Sequence, residues 1–241
     1  MMLIEALVIS VLLYSVLADR IKQKAAAYYT GTYALTAFVV AYYLLGWSEK
    51  LPGAVNSWGM DLFQRGALST ATFIIVMFLG TITKQNAFSI RLLKIRGEIS
   101  IIGCILAFAH NIVFGVVYFP MLISRPEALD GPRLWAAYLT LILLALMIPL
   151  FLTSFRCIRK KMRPKAWKRL QRLAYPFYYL IYIHVMLLYS IDAKAHIFDI
   201  LVYTGIYALY TVLRLRKYFL MKKKKENRRI QTNPAQQPAK A

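Results

Sequence analysis

Residues 99–119 read ISIIGCILAFAHNIVFGVVYF. A run of this length without a charge crosses the hydrocarbon core of a bilayer as a helix, at ~1.5 Å per residue over about 30 Å. It shows no period-two alternation, which excludes a barrel strand. A helix satisfies all its backbone hydrogen bonds within lipid. One residue is out of character. His110 is polar and ionisable, and such a side chain is costly in a membrane unless it has a partner.

The same texture recurs on both sides. Apolar stretches run over 3–18, 28–46, 66–83, 134–155, 173–190 and 196–213, which makes seven with 99–119. The chain has 241 residues, is 59% hydrophobic and carries a formal net charge of +21. Its mean hydropathy is +0.51. That combination excludes a soluble enzyme and a fibrous protein. Two cysteines, Cys104 and Cys157, are too few for a disulfide framework, and their neighbours suggest no metal cluster. The expected fold is all-α, a polytopic membrane helix bundle of about seven transmembrane helices. The first stretch is the shortest, about 24 Å, and whether it spans fully stays open.

Charge orients the bundle. Glu5, and no Lys or Arg, precedes the first apolar run, so the positive start of a secretory signal is missing. Lys and Arg number 26 in 19–27, 84–97, 156–172 and the segment from 214 onward, against 5 at the alternate ends. The positive-inside rule then places the N-terminus outside and the C-terminus in the cytoplasm of a plasma or inner membrane protein. The basic residues sit in short juxtamembrane loops, where anionic headgroups attract them. Membrane lipid is therefore the expected partner of this charge, and nucleic acid is not. No dinucleotide fingerprint, P-loop or internal repeat occurs, and no loop has room for a soluble domain. The tail after Met221, KKKKENRRIQTNPAQQPAKA, is basic and polar and is expected to be disordered.

Three histidines exist. His196 falls at the outer start of the last stretch, as an ordinary interfacial residue would. His110 and His184 each lie inside an apolar span. Counted from the cytoplasmic entry of its helix, His110 is about 20 Å deep and His184 about 18 Å. Both helices run the same way, so the imidazoles meet at one level. Facing imidazoles on two helices suit a bis-histidine haem, whose porphyrin is flat and apolar. Zinc suits them less, because no Cys, Asp or Glu shares their depth. A proton relay needs carboxylates that the spans lack. Hydrogen bonds from each histidine to a neighbouring hydroxyl or carbonyl would equally account for the pair.

The sequence resembles the ferric reductase-like transmembrane domain. Within that family it is similar to the haem-binding membrane subunit of the bacterial methionine sulfoxide reductase system. The resemblance rests on four stretches: Arg65-Gly66-Ala67-Leu68 through Thr81-Ile82-Thr83; RLLKIRGE (Arg91 to Glu98) leading to His110; Leu152-Thr153-Ser154-Phe155; and Trp167 to Tyr175 leading to His184. It covers about residues 60–215. It implies N-terminal helices over 1–60, a six-helix haem-binding core over 61–215 and a tail over 216–241, so one N-terminal helix is an addition. It further implies b-type haem on His110 and His184 and single-electron transfer across the membrane. Members with two haems carry a second histidine on each ligand helix. Arg96 and Gln171 stand at those positions here, which leaves one haem. The related subunit associates with flavin mononucleotide, and the nine positive charges of 156–172 would attract its phosphate.

Several other residues belong near such a site. Arg65, at the outer end of the third span, is a candidate for a haem propionate, with Arg133 a weaker one. Phe114 and Phe177 share the ligand faces of their helices, whereas Phe108 points away. Tyr175, Tyr178, Tyr179 and Tyr182 are expected to pack, with a quinone or flavin pocket as the alternative. Cys104 should be inert, and Trp47 and Trp58 suit the outer interface. The reading reached is a membrane b-type cytochrome. Its donor would be a quinol, a flavin or a flavoprotein, and its acceptor an extracytoplasmic protein or ferric iron. A haem-free scaffold or transporter and a stand-alone ferric reductase are the alternatives.

Overall fold

The computed structural model describes residues 1–50, 53 and 56–232. Seven principal helices follow one another: α1 (Met2–Gln23), α2 (Ala25–Leu44), α3 (Ala67–Leu79), α4 (Arg96–Ser124), α5 (Gly131–Ser154), α6 (Ala174–Tyr189) and α7 (Ile197–Thr232). Each apolar stretch of the sequence forms one of them, and no strand occurs among the described residues. The chain is an all-α, multi-pass membrane helix bundle.

Five segments are long and apolar enough to cross a membrane alone: α1, α4, α5, α7 and Pro164–Asp192, which contains α6. The other two are special cases. α2 has 20 residues, but tyrosines and threonines dilute its hydropathy. α3 has only 13 residues, about 20 Å, and stops at Gly80 rather than at 83. All of it except Val76 and Phe78 is buried. A helix enclosed by other helices need not match the thickness of the bilayer. α1, expected to be short, reaches 22 residues, about 33 Å.

α1 is part of the core. Leu3, Ala6, Ser10, Tyr14, Ala18 and Ile21 are buried at steps of three and four residues, one face of a helix. Thr72 Oγ1 donates to the Leu68 carbonyl at 2.8 Å, so the Tyr14 hydroxyl donates to Thr72 Oγ1, at 3.0 Å. α3 and α4 approach closely at Gly103, where an added Cβ would lie 2.8 Å from Thr72 Cγ2. α2 bonds to α4 through Thr36 Oγ1 and the Ile105 carbonyl at 3.3 Å. Tyrosines join α6 to α7, led by Tyr178 and Tyr207 stacked at 4.2 Å.

At the basic end three short helices cover the bundle: Ala87–Lys94, Arg156–Lys161 and Pro164–Gln171. The first begins at a capping box between Asn86 and Ser89. Arg91 pairs with Asp19 at 2.7 Å, tying it to α1. Lys217 of α7 reaches the Gly80 and Ile82 carbonyls at 2.9 and 3.0 Å, placing a cation at the C-terminal end of α3. The expected disorder after Met221 is not found over 222–232, which continue α7 as helix. Lys, Glu and Arg are good helix formers, and extending an existing helix avoids the cost of nucleation. Residues 233–241 lie outside the described residues.

Candidate functional site

α4 and α6 bring His110 and His184 together, with ring centroids 6.2 Å apart and planes at 86°. Nδ1 of His110 lies 2.7 Å from the Gln64 carbonyl oxygen. A carbonyl only accepts, so Nδ1 carries the hydrogen and Nε2 keeps its lone pair. His184 has the same arrangement. Its Nδ1 donates to the Ala136 carbonyl at 3.2 Å, with Thr140 Oγ1 at 3.5 Å. Both rings are thus held by the main chain at one nitrogen and keep a lone pair on the other.

The local fold explains why the Gln64 carbonyl is available. The helical turn Asp61–Gln64 stops at Arg65, and Gly66 takes φ +71° before α3 begins. In an unbroken helix Leu68 N–H would claim that carbonyl. The break releases it to His110. Gly66 is required on a second count, because a Cβ there would meet His110 Cγ at 3.2 Å.

The pair lines a cavity of about 670 Å³, together with Arg65, Ser69, Phe114 and Phe177. The Phe114 ring lies 5.1 Å from that of His110. A smaller cavity of about 110 Å³ touches the same two histidines and reaches Arg133. The two rings face each other across a separation that one metal ion could bridge. No group of three or more His, Cys, Asp or Glu able to hold a metal ion occurs among the described residues. The two imidazoles could hold a metal that brings its remaining ligands with it.

Arg65 lines the cavity with its Nε 3.4 Å from Asp61 Oδ2. Arg133 bonds to Asp130, which caps α5. His196 stands at the cavity mouth, stacked on Tyr189 at 4.7 Å and 3.9 Å from Asp199. Phe108 faces Phe151 at 5.9 Å and lines neither of these two cavities. Cys104 is buried and Cys157 exposed, both free thiols. Trp47 is exposed just beyond α2, and the Trp58 side chain lies outside the described residues.

A second cavity, about 820 Å³, opens toward the basic end and holds both Arg96 and Gln171. Seven Lys and Arg side chains line it against one carboxylate, Glu98. Arg156 already pairs with Glu98 at 2.7 Å. Arg159 lies 4.3 Å over the Trp167 ring. Gln171 Nε2 donates to Thr153 Oγ1 at 3.1 Å, and Trp167 Nε1 to the Thr153 carbonyl, also at 3.1 Å. Tyr175 and Tyr178 line this cavity, and the buried Tyr178 hydroxyl has no hydrogen-bond partner among the described residues. Tyr179 and Tyr182 instead bond to Thr211 and Thr204 of α7. No histidine lines this space, so it offers no imidazole pair. Its charge and aromatic walls suit a planar anion.

Reasoning from sequence missed Gln64, Gly66, Ala136 and Thr140. A glycine after Arg65, between apolar segments, was a legible signal for a break. Ala136 carried none, since only its carbonyl acts.

No solved structure matches the chain. A protein of Treponema pallidum (strain Nichols), described as uncharacterized, is 32% identical over 220 residues, which is 88% of this chain and 59% of that relative. The chain thus spans about three-fifths of that relative's length. The family described as ferric reductase like transmembrane component matches residues 65–182. The match opens at the Arg65–Gly66 break, includes His110 and ends two residues before His184. Over residues 65–182 the chain is similar to the ferric reductase-like transmembrane family.

Proposed function

We propose that the chain is a membrane b-type cytochrome that carries single electrons across the bilayer, with one haem held by His110 and His184. The observation that carries this reading is the matched tautomer of two imidazoles 6.2 Å apart, each tied at Nδ1 to a main-chain carbonyl. A haem bound there supplies reversible one-electron chemistry at its iron. The carbonyls of Gln64 and Ala136 orient the rings and make Nε2 a better ligand. Arg65 offers a guanidinium to a propionate at the cavity mouth. Phe114 and Phe177 line the cavity walls with aromatic rings. With both imidazoles engaged in holding the group, substrate chemistry would belong to a separate acceptor, either a protein outside the membrane or ferric iron.

The charge asymmetry supports electron flow from the basic, cytoplasmic end outward. The cations of the second cavity favour the phosphate of flavin mononucleotide as the entry group, with a quinol or a flavoprotein as the donor behind it. Arg96 and Gln171, at the positions where two-haem relatives carry ligands, favour one other reading, a haem-free scaffold that keeps the fold.

A dithionite-reduced minus oxidised absorbance spectrum of the purified protein separates the two readings. The expected result is a b-type spectrum at one haem per chain, lost in His110→Ala and in His184→Ala. A folded wild type with no haem, even after haem-supplemented expression, overturns the cytochrome and leaves the scaffold.

A further inference from the structure

The two large cavities reach from opposite ends of the bundle to nearly the same depth. Three residues line both of them: Phe73 of α3, Met147 of α5 and Phe177 of α6. On α4 the boundary falls between Cys104, in the basic-end cavity, and Ala107, in the histidine cavity. Those two positions are about 4.5 Å apart along the helix axis. Four helices thus place their change of side at one level. The residues there form a single apolar cluster, with Phe73 and Phe177 edge to face at 5.1 Å and both nearly buried.

Polar side chains flank this layer on either side. Gln64, Ser69, Thr70 and Thr140 lie on the histidine side. Arg96, Ser100, Ser154 and Gln171 lie on the basic side. Each cavity also runs out to exposed side chains, Arg65 at one end and Lys168 and Arg172 at the other. Water entering both would leave one layer of side chains between two aqueous compartments. A bundle that holds such cavities in a membrane needs a barrier against protons and ions. Elsewhere in the bilayer that barrier is many ångströms of hydrocarbon.

We propose that Phe73, Met147 and Phe177 form the permeability seal of this protein, an apolar plug one side chain thick that keeps its two cavities from joining into a channel. A dry aromatic layer does this by dewetting. It offers a water chain no partners, and an ion crossing it meets no compensating charge. The seal acts whatever either cavity binds, so its test does not depend on haem.

The full chain is reconstituted into vesicles containing a pH-sensitive dye, and a potassium diffusion potential drives proton entry. Wild type and Phe38→Ala, a substitution on an exposed position of α2, should match protein-free vesicles. Phe73→Ala/Phe177→Ala should admit protons about tenfold faster or more. Phe177→Leu, which keeps an apolar side chain, should stay tight. The native Cys104 gives a second readout in a Cys157→Ser background. A charged thiol reagent applied at the histidine end should leave Cys104 unmodified in wild type and label it in the double variant. A helical, monodisperse double variant that is as tight as wild type overturns the proposal. So does labelling of Cys104 from the histidine end in wild type. If the double alanine variant does not fold, Met147→Ser and Phe177→Ser are read by the same two assays and judged by the same outcomes.

Discussion

Gly66 and His110 are in contact across the gap between α3 and α4, so close that a Cβ on Gly66 would sit 3.2 Å from the imidazole Cγ. Gly66 also holds φ at +71°. Gly66→Ala therefore strains the backbone by about 1–2 kcal/mol and crowds the ring that bonds to the Gln64 carbonyl. The expected outcome is a lower unfolding midpoint and less than half the wild-type haem content. A variant with full haem and an unchanged spectrum would show that the ring tolerates the shift.

Glu98 is almost buried, and its carboxylate relies on the exposed guanidinium of Arg156. Removing the arginine leaves a carboxylate in a poor place for a charge. Arg156→Ala should destabilise by about 1–2 kcal/mol, discounted because one partner is in solvent. Glu98→Gln in the same chain should recover most of that loss. Thermal unfolding in detergent of the two single variants and the double measures the coupling. Purely additive effects would mean that the pair contributes nothing.

The basic-end cavity is at least as large as the histidine cavity, about 820 against 670 Å³. What it lacks is a pair of imidazoles. Arg96→His/Gln171→His should raise haem from one to two per chain, whereas Gln171→His alone should leave it at one. Haem quantified against protein decides this. An unchanged count in the folded double variant would mean that the space needs more than a pair of imidazoles to hold haem.

The sequence carried the bundle because apolar length and charge asymmetry are chemical properties of the chain, legible without coordinates. The meeting of His110 and His184 was legible too, as equal depth on helices running the same way. Other features were hidden for physical reasons. α3 could end early because its neighbours, and not lipid, surround it. The helical extension over 222–232 depends on a helix already nucleated upstream, which a reading of local composition does not weigh. The layer of Phe73, Met147 and Phe177 comes from three helices, and no spacing within one segment points to it.

The partners of the two imidazoles, Gln64 and Ala136, contribute no side-chain atom. Every amino acid carries the carbonyl that is used there. Substitution at either position leaves the ring chemistry in place as long as the chain turns as it does now. The protonation pattern of the histidines is inherited from the path of the backbone. At position 64 that path is set by Gly66, so a lineage would lose the orientation of the ring by repairing a helix, with both histidines still in the sequence.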